Sequence, residues 1–242
     1  MKGVILAGGL GKRLEPLTRV TNKHLLPVYN KPMIFYPIET LVDAGIKEIL
    51  IVTGGNNAGD FLRLLGNGEE FGISDIRYAY QKGEGGIADA LRLARHFVGK
   101  DKFVVILGDN VIDKSIRPYV EQFRRQKTGA RILIKKVPDP QRFGVARLKG
   151  DKITEIIEKP KKPPSDYIVT GIYMYDHLAF DFIQKLKPSG RGELEITDVN
   201  NMYLKHSQLA YNVLDGNWTD CGTFPSLYRA NRIMATKHLK SP

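Results

Sequence analysis

The chain has 242 residues, of which 42% are hydrophobic and 26% are charged, and its formal net charge at pH 7 is +11. These proportions are ordinary for a folded domain, and no apolar run approaches the ~20 residues that a membrane helix needs. A single cysteine, Cys221, excludes an intrachain disulfide framework and suits a reducing compartment. The first residues already have the pattern of a strand, so we expect no signal peptide. We therefore expect a cytoplasmic protein with no membrane partner.

The excess of positive charge permits nucleic-acid binding, but the basic residues are dispersed along the chain. The densest run, at 159–162, is short, and the sequence has no helix-turn-helix, zinc-finger or RNA-recognition pattern. Net charge alone says little about function. We expect a solvated basic surface that attracts anionic substrates, and no nucleic acid as a partner.

Strand and helix patterns alternate in the first half of the chain. Short runs rich in Val, Ile, Leu and Tyr predict strands at 2–7, 48–53, 76–80 and 103–107. Helical patterns lie between them at 33–44, 57–65 and 87–98. This alternation predicts an α/β fold with a mostly parallel sheet.

Strands follow one another more quickly in the second half. After a helix at 116–126 and a strand at 130–137, the pattern predicts strands at 144–148, 152–158 and 167–175. Helices at 178–186 and 195–206, a strand at 209–214 and a helix at 223–236 complete the chain. No linker separates the halves, so we predict one domain, residues 1–242, with a substrate-binding subregion after residue 137.

The most informative segment is 8–14, which follows the first predicted strand and reads Gly-Gly-Leu-Gly-Lys-Arg-Leu. It is not a dinucleotide fingerprint, because Leu14 occupies the slot of the third glycine, and it is not a P-loop, because Arg13 follows the Gly-Lys pair. Glycines let backbone N–H groups approach phosphate oxygens, and Arg13, Lys12 and Lys23 add cations. We predict a polyphosphate site; the alternative is a tight turn with ordinary surface cations.

Two carboxylates are candidates for a metal site. Asp109 follows the strand at 103–107, so it lies at the sheet edge where ligands bind in open α/β folds. Magnesium often takes one or two protein carboxylates together with phosphate oxygens. Asp220 is a second candidate, although a helix cap is an equally good interpretation of its position.

Further polar residues end other predicted strands. Gln81 has a side-chain amide that suits the edge of a pyrimidine, and the glycines after it, including Gly86, would let backbone groups reach a base. Glu158 could accept hydrogen bonds from sugar hydroxyls, and Lys159 could neutralise a phosphate. Neighbouring Glu and Lys residues are more often exposed surface residues with no binding role.

Taken together, these motifs make the chain resemble the sugar-phosphate nucleotidylyltransferases, and within them the thymidylyl branch that acts on glucose 1-phosphate. The resemblance covers nearly all of the chain and is carried by segments 8–14, 22–34, 107–110, 143–145, 158–160, 169–173 and 191–198. It implies a Rossmann-like mixed, mostly parallel sheet flanked by helices, of the nucleotide-diphospho-sugar transferase type. It also implies magnesium-dependent transfer of a nucleotidyl group from dTTP to glucose 1-phosphate, which yields dTDP-glucose and pyrophosphate.

The resemblance also implies a role for each matching residue. The catalytic residues would be Arg13, Lys23 and Lys159. The nucleotide would be bound by Leu6, Gly8, Gly9, Gly11, Arg13, Gln81, Gly86 and Asp109. The sugar would be bound by Asn110, Gly144, Glu158, Lys159, Thr170 and Gly171. Mg²⁺ would be held by Asp109 and Asp220. Residues 1–137 would then bind mainly the nucleotide and residues 138–242 mainly the sugar.

The chain departs from the family pattern at Leu10, Lys12, Asn22, His24 and Phe143. The resemblance is to a short form that lacks the C-terminal helical extension of longer members, which leaves open whether the chain forms a homo-oligomer. Two other functions stay open. One is a UTP-dependent uridylyltransferase that acts on a hexose 1-phosphate, because thymine and uracil differ by one methyl group. The other is a non-catalytic subunit that binds a sugar nucleotide.

Overall fold

A computed structural model describes residues 1–55 and 58–239. Its strands are β1 (Lys2–Ala7), β2 (Pro27–Val28), β3 (Lys31–Pro32), β4 (Glu48–Gly54), β5 (Asp75–Gln81), β6 (Phe103–Leu107), β7 (Asn110–Ile112), β8 (Ala130–Lys136), β9 (Gly144–Lys149), β10 (Lys152–Glu158), β11 (Tyr167–Tyr175), β12 (Leu209–Val213) and β13 (Trp218–Asp220). Its α-helices are α1 (Phe35–Asp43), α2 (Ala58–Leu65), α3 (Ile87–Arg92), α4 (Arg95–Val98), α5 (Arg117–Arg125), α6 (Leu178–Ile183), α7 (Ile196–Lys205) and α8 (Phe224–Leu239). No helix among the described residues is long and apolar enough to cross a membrane.

The chain forms two compact units, and both are discontinuous in sequence. The first contains residues 1–84, 106–118 and those from 215 onward, and the second contains residues 85–105 and 119–214. The division of ligand binding between residues 1–137 and 138–242 stays a prediction.

The first unit contains a parallel sheet in which β4 pairs with both β1 and β5. Ala7 is opposite Thr53, and Gly54 is opposite Gln81, so the carboxyl ends of all three strands meet at one edge. Helix α1 packs closely on this sheet, because a Cβ on Gly3 would lie 2.7 Å from a methyl group of Leu41. The sheet therefore presents the loops that follow its strands along a single edge.

A second, smaller sheet in the first unit joins segments that are far apart in sequence. Strands β7 and β13 pair antiparallel, with Asp220 opposite Asn110 and Trp218 opposite Ile112. Helix α8 follows β13, and its Ala230 and Met234 belong to an apolar cluster that also contains Leu14, Leu26, Val28, Met33, Tyr36, Val111 and Cys221. This packing holds β7 and β13 in place.

The second unit is built on a mixed sheet with the strand order β10-β9-β11-β8-β12. Its pairs are antiparallel except for β8 with β12, which is parallel. Its core includes a stack of aromatic rings in which Tyr175 lies 5.9 Å from Tyr173 and 5.6 Å from Tyr203, between ring centroids. The β9–β10 hairpin places Gly144 opposite Glu158.

The predicted α/β class is confirmed, and most elements lie where the sequence predicts them. The continuous helix predicted at 87–98 is wrong. The chain forms α3 and α4 instead, because the N–H groups of Leu93 and Ala94 bond to carbonyls three residues back and tighten the turn between them. The first residue of the helix predicted at 57–65, Asn57, lies outside the described residues.

Candidate active site

The glycine loop that follows β1 is shaped by close contacts which a side chain would prevent. A Cβ on Gly8 would lie 2.8 Å from Oε1 of Gln81. Gly11 has a φ of +70°, in the left-handed region that favours glycine. Its carbonyl accepts hydrogen bonds from the Thr18 hydroxyl at 3.0 Å and the Leu14 N–H at 2.8 Å. These contacts fix the conformation of the loop at the carboxyl edge of the parallel sheet.

A buried ion pair lies beside this loop. Lys23 Nζ is 2.7 Å from Asp109 Oδ2, and the two side chains are only 12% and 15% exposed. The same ammonium lies 3.8 Å from the position that a Cβ on Gly9 would occupy. Lys23, Asp109, Asp220 and the loop residues 8–13 are called the glycine-loop cluster below.

The environment keeps Asp109 charged and His24 neutral. Burial raises the pKa of Asp109, but the charge of Lys23 and hydrogen bonds from Lys23 and Asn110 outweigh it and lower the pKa to about 2. Burial, reinforced by the charge of Lys23, lowers the pKa of His24 to about 3. The His24 ring contacts Asn22 through Nδ1, at 2.7 Å from the amide oxygen. The cluster thus contains a charged pair next to a neutral imidazole.

Asn110 links Asp109 to the strand that carries Asp220. Its amide nitrogen donates to Asp109 Oδ1 at 3.1 Å, and its amide oxygen accepts from the Trp218 indole at 2.7 Å. The Cys221 N–H donates to the Asp109 carbonyl at 2.9 Å. The β7–β13 pairing therefore brings the two predicted metal ligands close together, although 110 intervening residues separate them in sequence. The sugar-binding role of Asn110 stays a prediction.

The two predicted carboxylates would suit a magnesium ion whose other ligands are phosphate oxygens and waters. Among residues 1–55 and 58–239, no group of three or more His, Cys, Asp or Glu side chains could hold a metal. The described residues therefore offer no cage made only of protein ligands. Two neighbouring carboxylates are what Mg²⁺ usually takes from a protein when phosphate oxygens and waters supply the other ligands. Asp109 and Asp220 lie on neighbouring segments and are two such carboxylates, and their role as magnesium ligands stays a prediction.

The exposed side of the loop carries further cations. Lys12 Nζ lies 3.1 Å from Glu84 Oε2, and both side chains are exposed. Arg13 is exposed on the 3-10 turn 12–14, and its guanidinium lies beside Gly222. Leu6 is buried in β1, and Gln81 is buried at the end of β5. Arg13, Leu6 and Gln81, which are predicted to bind the nucleotide, belong to the first unit.

The second unit brings together a different set at the β9–β10 hairpin. Glu158 accepts a hydrogen bond from the Thr197 hydroxyl at 2.5 Å and pairs with Arg191 at 3.4 Å. A Cβ on Gly144 would lie 3.0 Å from the Thr197 hydroxyl oxygen and 3.3 Å from Glu158 Oε2. Lys159 Nζ is 3.8 Å from Glu158 Oε1. Gly144, Glu158, Lys159 and Thr197 are called the hairpin cluster below.

Lys159 has an unusual backbone conformation. Its φ of +42° lies in a region that residues other than glycine rarely adopt. Its N–H donates to the Phe143 carbonyl at 3.0 Å, which ties the residue to the start of β9. Backbone strain of this kind costs on the order of 1–3 kcal/mol and is concentrated at functional sites. This conformation makes Lys159 a strong candidate for a functional role.

Other predicted site residues of the second unit are packed within its own structure. The Thr170 hydroxyl donates to the Leu133 carbonyl at 2.9 Å, and the residue is fully buried. Gly171 is also buried, within β11. Gly86 precedes α3 with a φ of +93°, and a Cβ there would lie 2.7 Å from the Leu194 carbonyl oxygen. Their roles in binding stay predictions.

Sequence reasoning assigned no role to Thr197 or Glu84. Thr197 lies at the start of α7, and its partner Glu158 is 39 residues away. The only signal for it was its place in the family-like segment 191–198. No local pattern marks Glu84, because its partner Lys12 is 72 residues away.

The chain is similar to known proteins. The model of a family described as nucleotidyl transferase matches residues 2–237. The chain belongs to this family. This result confirms the enzyme class to which the motifs pointed.

Two similar proteins narrow the comparison. The glucose-1-phosphate thymidylyltransferase of Neisseria meningitidis is 45% identical over 98% of this chain and 83% of its own length. A Bacillus anthracis protein, described as a glucose-1-phosphate thymidylyltransferase and crystallised with sucrose, is 56% identical, with a TM-score of 0.92 over 96% of this chain and 94% of its own. The resemblance seen in the sequence is confirmed.

A more distant structure supports the fold. A UDP-glucose pyrophosphorylase complexed with UDP-glucose has a TM-score of 0.84 over 98% of both chains at 23% identity. Together with the Bacillus anthracis structure, it confirms the predicted fold, a mixed and mostly parallel sheet flanked by helices.

Proposed function

We propose that this protein transfers the thymidylyl group of dTTP to glucose 1-phosphate and releases pyrophosphate. The observation that carries the proposal is the 45% identity to a glucose-1-phosphate thymidylyltransferase over nearly the whole chain. The glycine-loop cluster supports it, because a buried, charged Lys23–Asp109 pair beside three glycines is well suited to a polyphosphate.

The reaction is a displacement at phosphorus. A phosphate oxygen of glucose 1-phosphate forms a bond to the α-phosphorus of dTTP, and the bond from that phosphorus to the oxygen bridging to the β-phosphate breaks. The electron pair leaves with pyrophosphate, and the product is dTDP-glucose. Both substrates are polyanions, so catalysis consists mainly of positioning them and neutralising their charge.

In the first unit, each charged group has one task. The loop glycines let backbone N–H groups reach phosphate oxygens, Lys23 neutralises the triphosphate, and Arg13 stabilises the charge on the departing pyrophosphate. Gln81 reads the thymine base, and Leu6, Gly8 and Gly9 pack under the nucleoside. Mg²⁺, held by Asp109 and Asp220, would neutralise phosphate oxygens when bound.

In the second unit, the hairpin cluster binds the sugar phosphate. Glu158 accepts hydrogen bonds from sugar hydroxyls, and Thr197 and Arg191 hold its carboxylate in place. Lys159 neutralises the sugar phosphate. Gly144, Thr170 and Gly171 line the hexose site.

The test is the rate of pyrophosphate release across a matrix of nucleoside triphosphates and sugar 1-phosphates, with Mg²⁺ and with EDTA. We expect the highest kcat/KM for dTTP with glucose 1-phosphate and no release in EDTA. Asp109→Ala should abolish turnover, whereas Asp151→Ala, in the exposed turn between β9 and β10, is a control that should retain it. Release that does not depend on the sugar phosphate, or an unchanged rate for Asp109→Ala, would contradict the proposal.

Two further expectations accompany this function. Cys221 is buried, and burial raises the pKa of its thiol, as expected of an unreactive cysteine in a cytoplasmic protein. A homo-oligomer also stays a proposal, which size-exclusion chromatography with light scattering would test.

A further inference from the structure

Gly222, two residues after the end of β13, is buried against two charged side chains of the glycine-loop cluster. A Cβ on Gly222 would lie 2.9 Å from Nη2 of Arg13 and 2.9 Å from Oδ2 of Asp220. The Gly222 N–H also donates to that same carboxylate oxygen at 3.3 Å. The guanidinium and the carboxylate therefore both border the volume that any side chain at position 222 would fill.

The backbone conformation does not explain this glycine. Gly11, in the same cluster, has a φ of +70°, but Gly222 is absent from the glycines with positive φ. An alanine could therefore adopt the backbone conformation at position 222. What the glycine provides is space.

The groups that an alanine would meet are the far ends of flexible side chains. Arg13 is exposed, and Asp220 is half-buried. Both can move aside without disturbing the apolar cluster under α8. A methyl group at position 222 should therefore displace the two charged groups and leave the fold intact.

We propose that Gly222 is a positioning residue, which leaves the space in which the Arg13 guanidinium and the Asp220 carboxylate lie side by side. The inference rests on the proposed function, in which Arg13 meets the departing pyrophosphate and Asp220 is a magnesium ligand. Both groups must be aimed at the same phosphates, and a displacement of about 1 Å can lower a rate on the order of 10²-fold.

The test is Gly222→Ala, compared with Gly59→Ala. Gly59 lies in α2, and nothing is within 4 Å of a Cβ placed there. We expect Gly222→Ala to lower kcat/KM on the order of 10²-fold with a Tm within about 2 °C of the wild type. Gly59→Ala should retain the wild-type kcat/KM.

A double-mutant cycle identifies the route of the effect. If the methyl group acts by moving Arg13, Gly222→Ala should lower kcat/KM by no more than about threefold in an Arg13→Ala background. A loss as large as that in the wild type in both the Arg13→Ala background and a parallel Asp220→Asn background would overturn the proposal, as would a kcat/KM for Gly222→Ala within about threefold of the wild type. A fall in Tm that accounts for the loss of activity would also overturn it, because Gly222 would then be a requirement of folding.

Binding of inorganic pyrophosphate with Mg²⁺, measured by calorimetry, separates this inference from the proposed function. We expect weaker binding to Gly222→Ala than to the wild type. If the wild type binds pyrophosphate but transfers no thymidylyl group, the proposed function fails, while weaker binding to the variant still supports the positioning role. Equal binding to both proteins would contradict that role.

Discussion

Two ion pairs of the first unit differ in how far water reaches them. Lys23 and Asp109 are 12% and 15% exposed, whereas Lys12 and Glu84 are 70% and 49% exposed. Removing one partner of a buried pair leaves an uncompensated charge, but an exposed pair contributes little. The two lysines therefore form a matched comparison at the scale of single residues.

We predict that Lys23→Met destabilises the protein by about 3 kcal/mol and lowers kcat/KM on the order of 10²-fold. Lys12→Met should cost at most about 1 kcal/mol. Urea unfolding and initial rates measure both effects. Equal stability and activity of the two variants would show that Lys23 is not a buried partner of Asp109.

The low pKa of His24 makes stability depend on pH. Burial holds the pKa at about 3 in the folded protein, against 6.5 in the unfolded chain, so protonation favours unfolding. The stabilisation that comes from keeping His24 neutral is complete above pH 6.5 and is lost as the pH falls toward 3. Asp109 adds a loss at lower pH, because its folded pKa of about 2 lies below its ordinary 3.8.

We predict that the free energy of unfolding falls by about 2 kcal/mol less in His24→Gln than in the wild type when the pH is lowered from 7 to 5. His96→Gln, on the exposed side of α4, is the control. Urea unfolding at both pH values measures the difference. An equal loss of stability in the two variants between these pH values would contradict the low pKa of His24.

At the scale of secondary structure, the start of α7 supports the end of β10. The Thr197 hydroxyl is 2.5 Å from Glu158 Oε2, and Glu195, before α7, binds Arg191 through both carboxylate oxygens. If Glu158 binds the sugar, loss of the Thr197 hydroxyl should weaken the binding of glucose 1-phosphate and leave the binding of dTTP unchanged.

We predict that Thr197→Val raises KM for glucose 1-phosphate on the order of 10-fold, because one hydrogen bond to a charged group is lost. KM for dTTP should not change. Thr154→Val, which removes an exposed hydroxyl bonded to the Arg147 carbonyl, is the control. Equal changes in both KM values would argue against a specific role in sugar binding.

Elements made of one apolar run were predicted well. The bounds of β1, β6, β10 and β11 agree with the structure, because strong local periodicity determines them. The three-residue strands β7 and β13 were missed, since their pairing joins segments about 110 residues apart and has no local pattern. The partner of Asp109 in that arrangement, Asp220, could therefore be proposed from the sequence but not placed.

The candidate site divides in the same way. The motifs identified Arg13, Lys23 and Glu158 because the residue types and their family-like context are local. The burial of Lys23 and the neutral state of His24 depend on packing with residues far away in sequence, and no single-chain pattern predicts them. No local pattern singles out Gly222, because what matters is the space that it leaves for Arg13, more than 200 residues earlier.

At the scale of the whole molecule, the base of dTTP differs from that of UTP by one methyl group, and the sugar of UTP carries a 2′-hydroxyl that dTTP lacks. An apolar contact with one methyl group discriminates by about 1–3 kcal/mol, or roughly 10–200-fold. We predict measurable UTP turnover within that range, determined as a ratio of kcat/KM values. Discrimination of several thousandfold would show that the ribose 2′-hydroxyl of UTP is rejected as well, and dUTP, which lacks that hydroxyl, should then lie within the range.

The proposed reaction transfers the α-phosphoryl group, with its nucleoside, to a sugar phosphate. The most direct test follows [α-³²P]dTTP and [γ-³²P]dTTP in parallel reactions with glucose 1-phosphate and Mg²⁺. We predict that the α-label appears in dTDP-glucose and the γ-label in pyrophosphate, and that neither product forms without the sugar phosphate. A γ-label recovered as orthophosphate, or an α-label released as dTMP, would contradict the account.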